Sequence, residues 1–153
     1  MITEEPKENP IERIMVVSAA IVDVEAKRLF VQRRDGNTSY SWHWCMPGGK
    51  ALPSESLDLA LARELYEEHG VRSKWHPRLW LGAEIYQHEI KSTRTGETVV
   101  VRCFRIDATE LVGPYIAGPS VAGFDWVTAN ELETLTLTPA DDANRGKLMA
   151  LLR

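Results

Sequence analysis

Residues 49–71 read Gly49-Lys50-Ala51-Leu52-Pro53-Ser54-Glu55-Ser56-Leu57-Asp58-Leu59-Ala60-Leu61-Ala62-Arg63-Glu64-Leu65-Tyr66-Glu67-Glu68-His69-Gly70-Val71. From Ser54 the stretch predicts a helix that runs to His69. Ser54 suits an N-cap, Glu55 puts an acid in the first turn, and Gly70 is a natural stop. At about 100° per residue, Glu64, Glu67 and Glu68 stand at i, i+3 and i+4 and share one sector. Leu57, Ala60 and Leu61 fall in that same sector, whereas a surface helix ordinarily sets its acids opposite its apolar stripe. One reading is a solvated helix whose Glu residues are only good helix formers. The other is electrostatic. A like-charge i,i+4 pair costs roughly 0.2–0.5 kcal/mol even when exposed, and burial raises that cost unless protons or cations compensate. A hard divalent cation removes the conflict, and all-oxygen ligation suits Mg²⁺ or Mn²⁺ rather than zinc. The four His are dispersed and Cys45 lies far from Cys103, so no zinc spacing is present.

Outward from this stretch, the chain reads as a mixture of strands and helices. Residues 14–24 are rich in β-branched side chains and predict a buried strand. A turn at Glu25-Ala26-Lys27 leads to a second strand over 28–33, and 35–53 reads as loop. Beyond Gly70, strands are expected over 79–89 and 97–106, joined through Thr95-Gly96, and a short one over 124–127 after an irregular loop at 113–123. Thr128-Ala129-Asn130-Glu131 fits a capping box. Thr138-Pro139 opens a helix expected to run toward Leu152, with Pro at its first position. This pattern gives a single α/β (α+β) layered domain over 12–153 behind a loose leader at 1–11.

Composition sets the outer bounds. At 153 residues, with 44% hydrophobic and 26% charged residues, the chain can bury a sizeable core. Its formal charge of −4 lacks the positive excess that long nucleic acids or anionic membranes require, so neither is an expected partner. Two cysteines cannot supply a disulfide framework and are expected to be reduced. The N-terminal residues have no basic segment followed by an apolar run, and no run approaches the ~18 residues of a membrane span. A cytoplasmic location is therefore expected. A homodimer is compatible with the sequence.

The quoted stretch also satisfies a longer pattern: Gly49, five residues, Glu55, seven residues, Arg63-Glu64, then Leu65, Glu67, Glu68, Gly70 and Val71. By average residue usage a chance match is on the order of one in ten million. The pattern is the Nudix box, and the chain resembles the Nudix hydrolase family. Trp44-Cys45-Met46-Pro47-Gly48-Gly49-Lys50 resembles the family's entry loop, and Phe124-Asp125-Trp126-Val127 with Glu131-Leu132 resembles its C-terminal signature. The resemblance implies a mixed sheet sandwiched between helices. It also implies Mg²⁺-dependent attack of water on a phosphorus of a nucleoside diphosphate linked to a group X, with Mn²⁺ as a substitute. Matched onto this chain, Glu64, Glu67, Glu68 and the Gly48 carbonyl would hold metal, and Glu64 is a candidate base. Glu55 and Arg63 would support the site as an ion pair that fixes loop and helix. Arg33, or Arg34 in its place, would meet substrate phosphate, and Lys50 is a further candidate. The family often carries another acid before the last strand, but residues 113–124 contain none; Glu110 precedes them and Asp125 ends the gap.

The box leaves X open, because fold and box set the chemistry while other loops choose the ligand. The resemblance favours the MutT-like branch, which takes a nucleoside triphosphate, oxidised or not, to the monophosphate and pyrophosphate. Asp141 or Asp142 would stand where that branch reads the purine, and Trp44 or Trp42 would offer a stacking face. A competing cue is Tyr86, sixteen residues beyond Gly70, near a spacing associated with diadenosine polyphosphate hydrolases. An NDP-sugar or dinucleoside polyphosphate is thus the alternative substrate. A non-catalytic Nudix-fold binding module is a further alternative, disfavoured because every box acid is kept.

Overall fold

A computed structural model describes residues 13–91 and 95–153; the expected leader at 1–11 lies outside the described residues. The strands are β1 (Arg13–Asp23), β2 (Arg28–Arg34), β3 (Trp44–Cys45), β4 (Gly48–Lys50), β5 (Arg72–Ser73), β6 (Glu84–Lys91), β7 (Thr98–Asp107), β8 (Leu111–Val112) and β9 (Val121–Val127). The helices are α1 (Leu57–His69), α2 (Ala129–Thr134), α3 (Pro139–Ala143) and α4 (Arg145–Ala150). The main sheet is mixed: β1 runs parallel to β7 and antiparallel to β2 and β4, while β6 and β9 add to β7 and β2.

Strand alternation sorts the core into two layers. Val17, Ala19 and Ile21 of β1 and Phe30 of β2 face α1, where they meet Ala60, Leu61 and Leu65. The alternate residues Ala20, Val22, Leu29 and Val31 face the other way, onto Leu132, Ala140, Leu148 and Met149 of the C-terminal helices. The expected mixed sheet between helices is therefore present, and the parity of β1 decides which side chains meet the box helix.

Several boundaries differ from the sequence expectation. Helix α1 begins at Leu57 with Ser56 as its N-cap, not at Ser54. A turn closes first, because Glu55 donates its N–H to Leu52 O and its carboxylate accepts the Leu52 N–H in return. Strand β6 begins at Glu84 rather than at 79. Only Gly82 and Ala83 of the preceding segment reach the backbone of β7, both at Arg105, and the register shifts between Glu84 and Tyr86. The final helix breaks in two at Asn144, whose φ of −116° and ψ of 17° leave the helical range. Its side chain donates to Ala140 O, which takes a carbonyl that a continuous helix would use. The loop over 113–123 is shorter than expected because β9 starts at Val121. The other local signals behave as their chemistry demands. Gly70 is left-handed at φ 67° and ends α1, and both arms of the Thr128–Glu131 capping box are present. No described helix is long and apolar enough to cross a membrane.

Candidate active site

Helix α1 is anchored at both ends of its acidic sector. At its N-terminal side, Arg63 is the hub. Its Nε and Nη2 donate to the two Glu55 oxygens at 2.9 and 2.8 Å, and Nη2 also reaches the Lys50 carbonyl at 3.0 Å. Its Nη1 donates to Glu64 at 3.0 Å and to Glu67 at 3.5 Å. The helix is thereby tied to strand β4 and to the 52–55 turn. At the C-terminal end, Gly118 N–H and Ile116 N–H donate to the carbonyls of Glu68 and His69. A side chain on Gly118 would strike Glu68 O at 2.7 Å, so the loop can lie flat on the helix end only as glycine.

The Arg63 hydrogen bonds, with the Leu52 N–H, hold the Glu55 carboxyl down to about 2. A carboxylate with a depressed native pKa contributes stability above its unfolded value of 4.5, and loses it as pH falls toward 2. Glu55→Gln is accordingly expected to melt at a lower temperature than the parent at neutral pH. The gap should stay constant down to the ordinary carboxylate range and close as pH falls through it. Thermal melts over a pH series check this; a gap unchanged by acid would count against the pairing.

The acidic sector itself is only partly solvated. The Glu64 side chain is 13% exposed, whereas Glu67 is 54% exposed. Burial raises the Glu64 carboxyl above its usual range, against the pull of Arg63. Burial also raises Glu68, and the charges of Glu64 and Glu67 raise it further. Arg34 offsets this in part while Asp35 adds to it. One oxygen, Glu68 Oε2, is buried with no hydrogen-bond partner. A buried carboxylate oxygen without a donor costs on the order of 1–3 kcal/mol or more, so this arrangement is incomplete as a protein-only structure. Beside it, a Cβ on Gly49 would fall 2.3 Å from Glu64 Cδ, so a side chain is excluded where the carboxylate stands. Among the described residues, Glu64, Glu67 and Glu68 do not form a closed metal cage as they stand. Arg63 bridges the first two. The donor chemistry nonetheless fits a hard divalent cation: oxygen atoms only, excess negative charge, and one buried oxygen without a partner.

The box loop opens onto a cleft of about 880 Å³, within the range of small-molecule sites. Gly48, Gly49, Lys50 and Arg34 line it on the box side, and Met46, Tyr86 and Asp141 line it further in. Arg33 and Trp44 do not line it. Arg33 is held elsewhere, with its guanidinium 5.5 Å from Trp42 and 5.8 Å from Trp44 and its Nε donating to Trp42 O. Of the two candidate arginines, Arg34 is the one at the cleft. Trp44 is instead built into the scaffold, exchanging main-chain hydrogen bonds with Thr136 and Thr138. Asp142 pairs with Arg145, and it is Asp141 that points inward. Neither candidate fourth acid approaches the sector: Glu110 accepts from Trp75 Nε1 and Asp125 caps its own neighbour's N–H.

One cleft residue escaped the sequence reading. Gln32 is buried, with Oε1 2.6 Å from His69 Nε2 and Nε2 3.5 Å from Cys45 Sγ. It ties the cleft wall to the end of α1, and His69 Nδ1 extends the chain to Ile116 O. Burial lowers the His69 pKa; both ring nitrogens face oxygen acceptors, Gln32 Oε1 and Ile116 O, and a neutral ring donates to only one of them. The available signal was a lone amide inside the apolar strand Leu29-Phe30-Val31-Gln32.

The model of the NUDIX domain matches residues 13–152 of the chain. Over 145 residues the chain is 30% identical to a Mycobacterium tuberculosis protein named "Putative 8-oxo-dGTP diphosphatase 2", covering 91% of this chain and 88% of that one. Among solved structures, the solution structure of the E. coli ORF135 protein superposes with a TM-score of 0.75 at 25% identity, covering 92% of this chain and 91% of that one. The MutT protein from Methanosarcina mazei Go1 gives a TM-score of 0.71 at 23% identity, with 94% and 96% covered.

Proposed function

The chain belongs to the NUDIX domain family, and from that premise we propose that this Nudix hydrolase is a Mg²⁺-dependent nucleoside triphosphate pyrophosphohydrolase. The observation that carries the reading is the partly buried Glu64–Glu68 pair, with its unpartnered oxygen, set against the glycine loop of a nucleotide-sized cleft. Glu64, Glu67, Glu68 and the Gly48 carbonyl would hold the cation, which supplies Lewis-acid polarisation of phosphoryl oxygens and acidifies bound water. The protein's own groups do the rest. Glu64, raised by burial, accepts the proton of the attacking water. Arg34 and Lys50 face the cleft and pair with phosphate oxygens. The Arg63–Glu55 pair keeps the loop and helix in one geometry, so the carboxylates are positioned before substrate arrives. The products are a nucleoside monophosphate and pyrophosphate.

Two points favour a triphosphate over a dinucleoside polyphosphate or an NDP-sugar. The Mycobacterium tuberculosis relative carries an 8-oxo-dGTP diphosphatase name. The Tyr86 hydroxyl, the cue toward a dinucleotide, is turned inward and donates to Asp141. The test is a panel of canonical and oxidised nucleoside triphosphates, NDP-sugars and dinucleoside polyphosphates with Mg²⁺, the products identified by chromatography. At least one triphosphate is expected to yield pyrophosphate. Triphosphates ignored while another class is cleaved would replace this reading with the alternative. No turnover of any compound would leave a binding module.

A further inference from the structure

Asp141 and Tyr86 meet at the floor of the cleft although 55 residues separate them. Each is 3% exposed. The Tyr86 hydroxyl donates to Asp141 Oδ1 at 2.6 Å, and Asp141 Oδ2 accepts the Met46 N–H at 2.9 Å and the Thr138 hydroxyl at 3.4 Å. One carboxylate thus joins three separate pieces of chain: strand β6, helix α3 and the entry loop. The loop end it holds matters. Met46 is two residues before Gly48, the Pro47 carbonyl accepts from Ala19 N–H, and Gly48 pairs with Ser18 of β1. A shift of Met46 would move the wall of the cleft and the glycine loop together.

Burial pushes both the Asp141 carboxyl and the Tyr86 phenol toward their neutral forms. Both Asp141 oxygens already have protein donors, so the orientation of the carboxylate is set by the protein before any base meets it. It touches a base only from a position that Tyr86 and Met46 set.

We infer that Tyr86 is a positioning residue for substrate selection: by holding Asp141 it fixes the Met46 wall of the cleft and so the shape against which the nucleobase is judged. The inference rests on the triphosphate reading. The hydroxyl acts on binding of the base, not on the phosphorus, so its loss should fall on KM and on selectivity more than on kcat.

The experiment compares the full chain with Tyr86→Phe and Asp141→Asn over a panel of triphosphates differing only in the base, well below the melting temperature of each variant. Removing one donor to a buried carboxylate is expected to raise KM for the preferred triphosphate about tenfold, to lower kcat no more than about twofold, and to flatten the ranking of bases. Asp141→Asn should flatten the ranking likewise. The double variant should be no worse than Asp141→Asn alone, since the two side chains act as one unit. A merely structural role predicts lower melting temperatures with the ranking kept. That result, or additive effects in the double variant, overturns the inference while leaving the triphosphate reading intact. If Tyr86→Phe does not fold, Asp141→Asn decides through the same ranking. A wild-type chain that turns over no triphosphate overturns the reading itself, and the selection role falls with it.

Discussion

Glu68→Gln is expected to remove turnover, on the order of a thousandfold in kcat, while leaving the fold as stable as the parent or more so. Glu68 is half-buried at the end of the acidic sector, its Oε2 has no donor, and burial with the charges of Glu64 and Glu67 holds its carboxyl above the usual range. Every one of those terms is unfavourable to the protein alone. Glutamine keeps the shape, deletes the charge and offers an N–H to the neighbouring carboxylates, so the apo fold is relieved. The same change removes a cation ligand, and each 1.36 kcal/mol of lost transition-state stabilisation is a factor of ten. A binding readout separates this from misfolding. Mg²⁺ at a hundredfold excess over Kd should stabilise the parent by about 2.7 kcal/mol, read as a higher melting temperature, and should shift Glu68→Gln much less. A variant that kept more than a tenth of parental kcat, or showed the full Mg²⁺ shift, would rule out the proposed metal site.

The second large effect separates two adjacent glycines. At Gly48 a Cβ would lie 2.1 Å from the Val17 carbonyl oxygen and 2.6 Å from Ser18 Cα, and the backbone is at φ 154°. Both obstacles are main chain of the central strand β1, which cannot yield without breaking its pairing. Gly48→Ala is therefore expected to cost on the order of 3 kcal/mol or more, roughly 6–12 °C in a domain of this size. At Gly49 the obstacle is the Glu64 carboxylate, 2.3 Å from the would-be Cβ. That group is the end of a flexible side chain and can rotate away. Gly49→Ala should fold, with a melting temperature near the parent's, and be inactive because Glu64 is displaced. Circular dichroism melts beside the hydrolysis assay test the pair. An active Gly49→Ala would show that Glu64 does not act from the position it holds here.

The two glycines show where the sequence is informative. The box pattern marks both, since each must lack a side chain, but it does not say that one protects the sheet and the other the carboxylate. The same division runs through the site. The acidic sector of α1 was legible because i, i+3 and i+4 spacing is a local property of a helix, and so were the Gly70 stop and the Thr128–Glu131 cap. The N-cap of α1 stands two residues later than the sequence suggests because Glu55 serves a turn and Arg63 rather than the helix. Ser54 and Ser56 are equally good caps on paper.

The sequence by itself determined the family, the mixed α/β layering and the shared helix sector of the three box acids. Each of these is written in residue types at short, fixed spacings, where backbone geometry alone brings the groups together. Only the tertiary structure decided that Arg34 rather than Arg33 faces the cleft, because the ladder shifts register between the two and Arg33 is taken up by Trp42 and Trp44. It also decided that Asp141 is held by Tyr86 and Met46, 55 and 95 residues away. No spacing rule reaches that far, and such contacts exist only once the sheet and both helical layers have closed on one another.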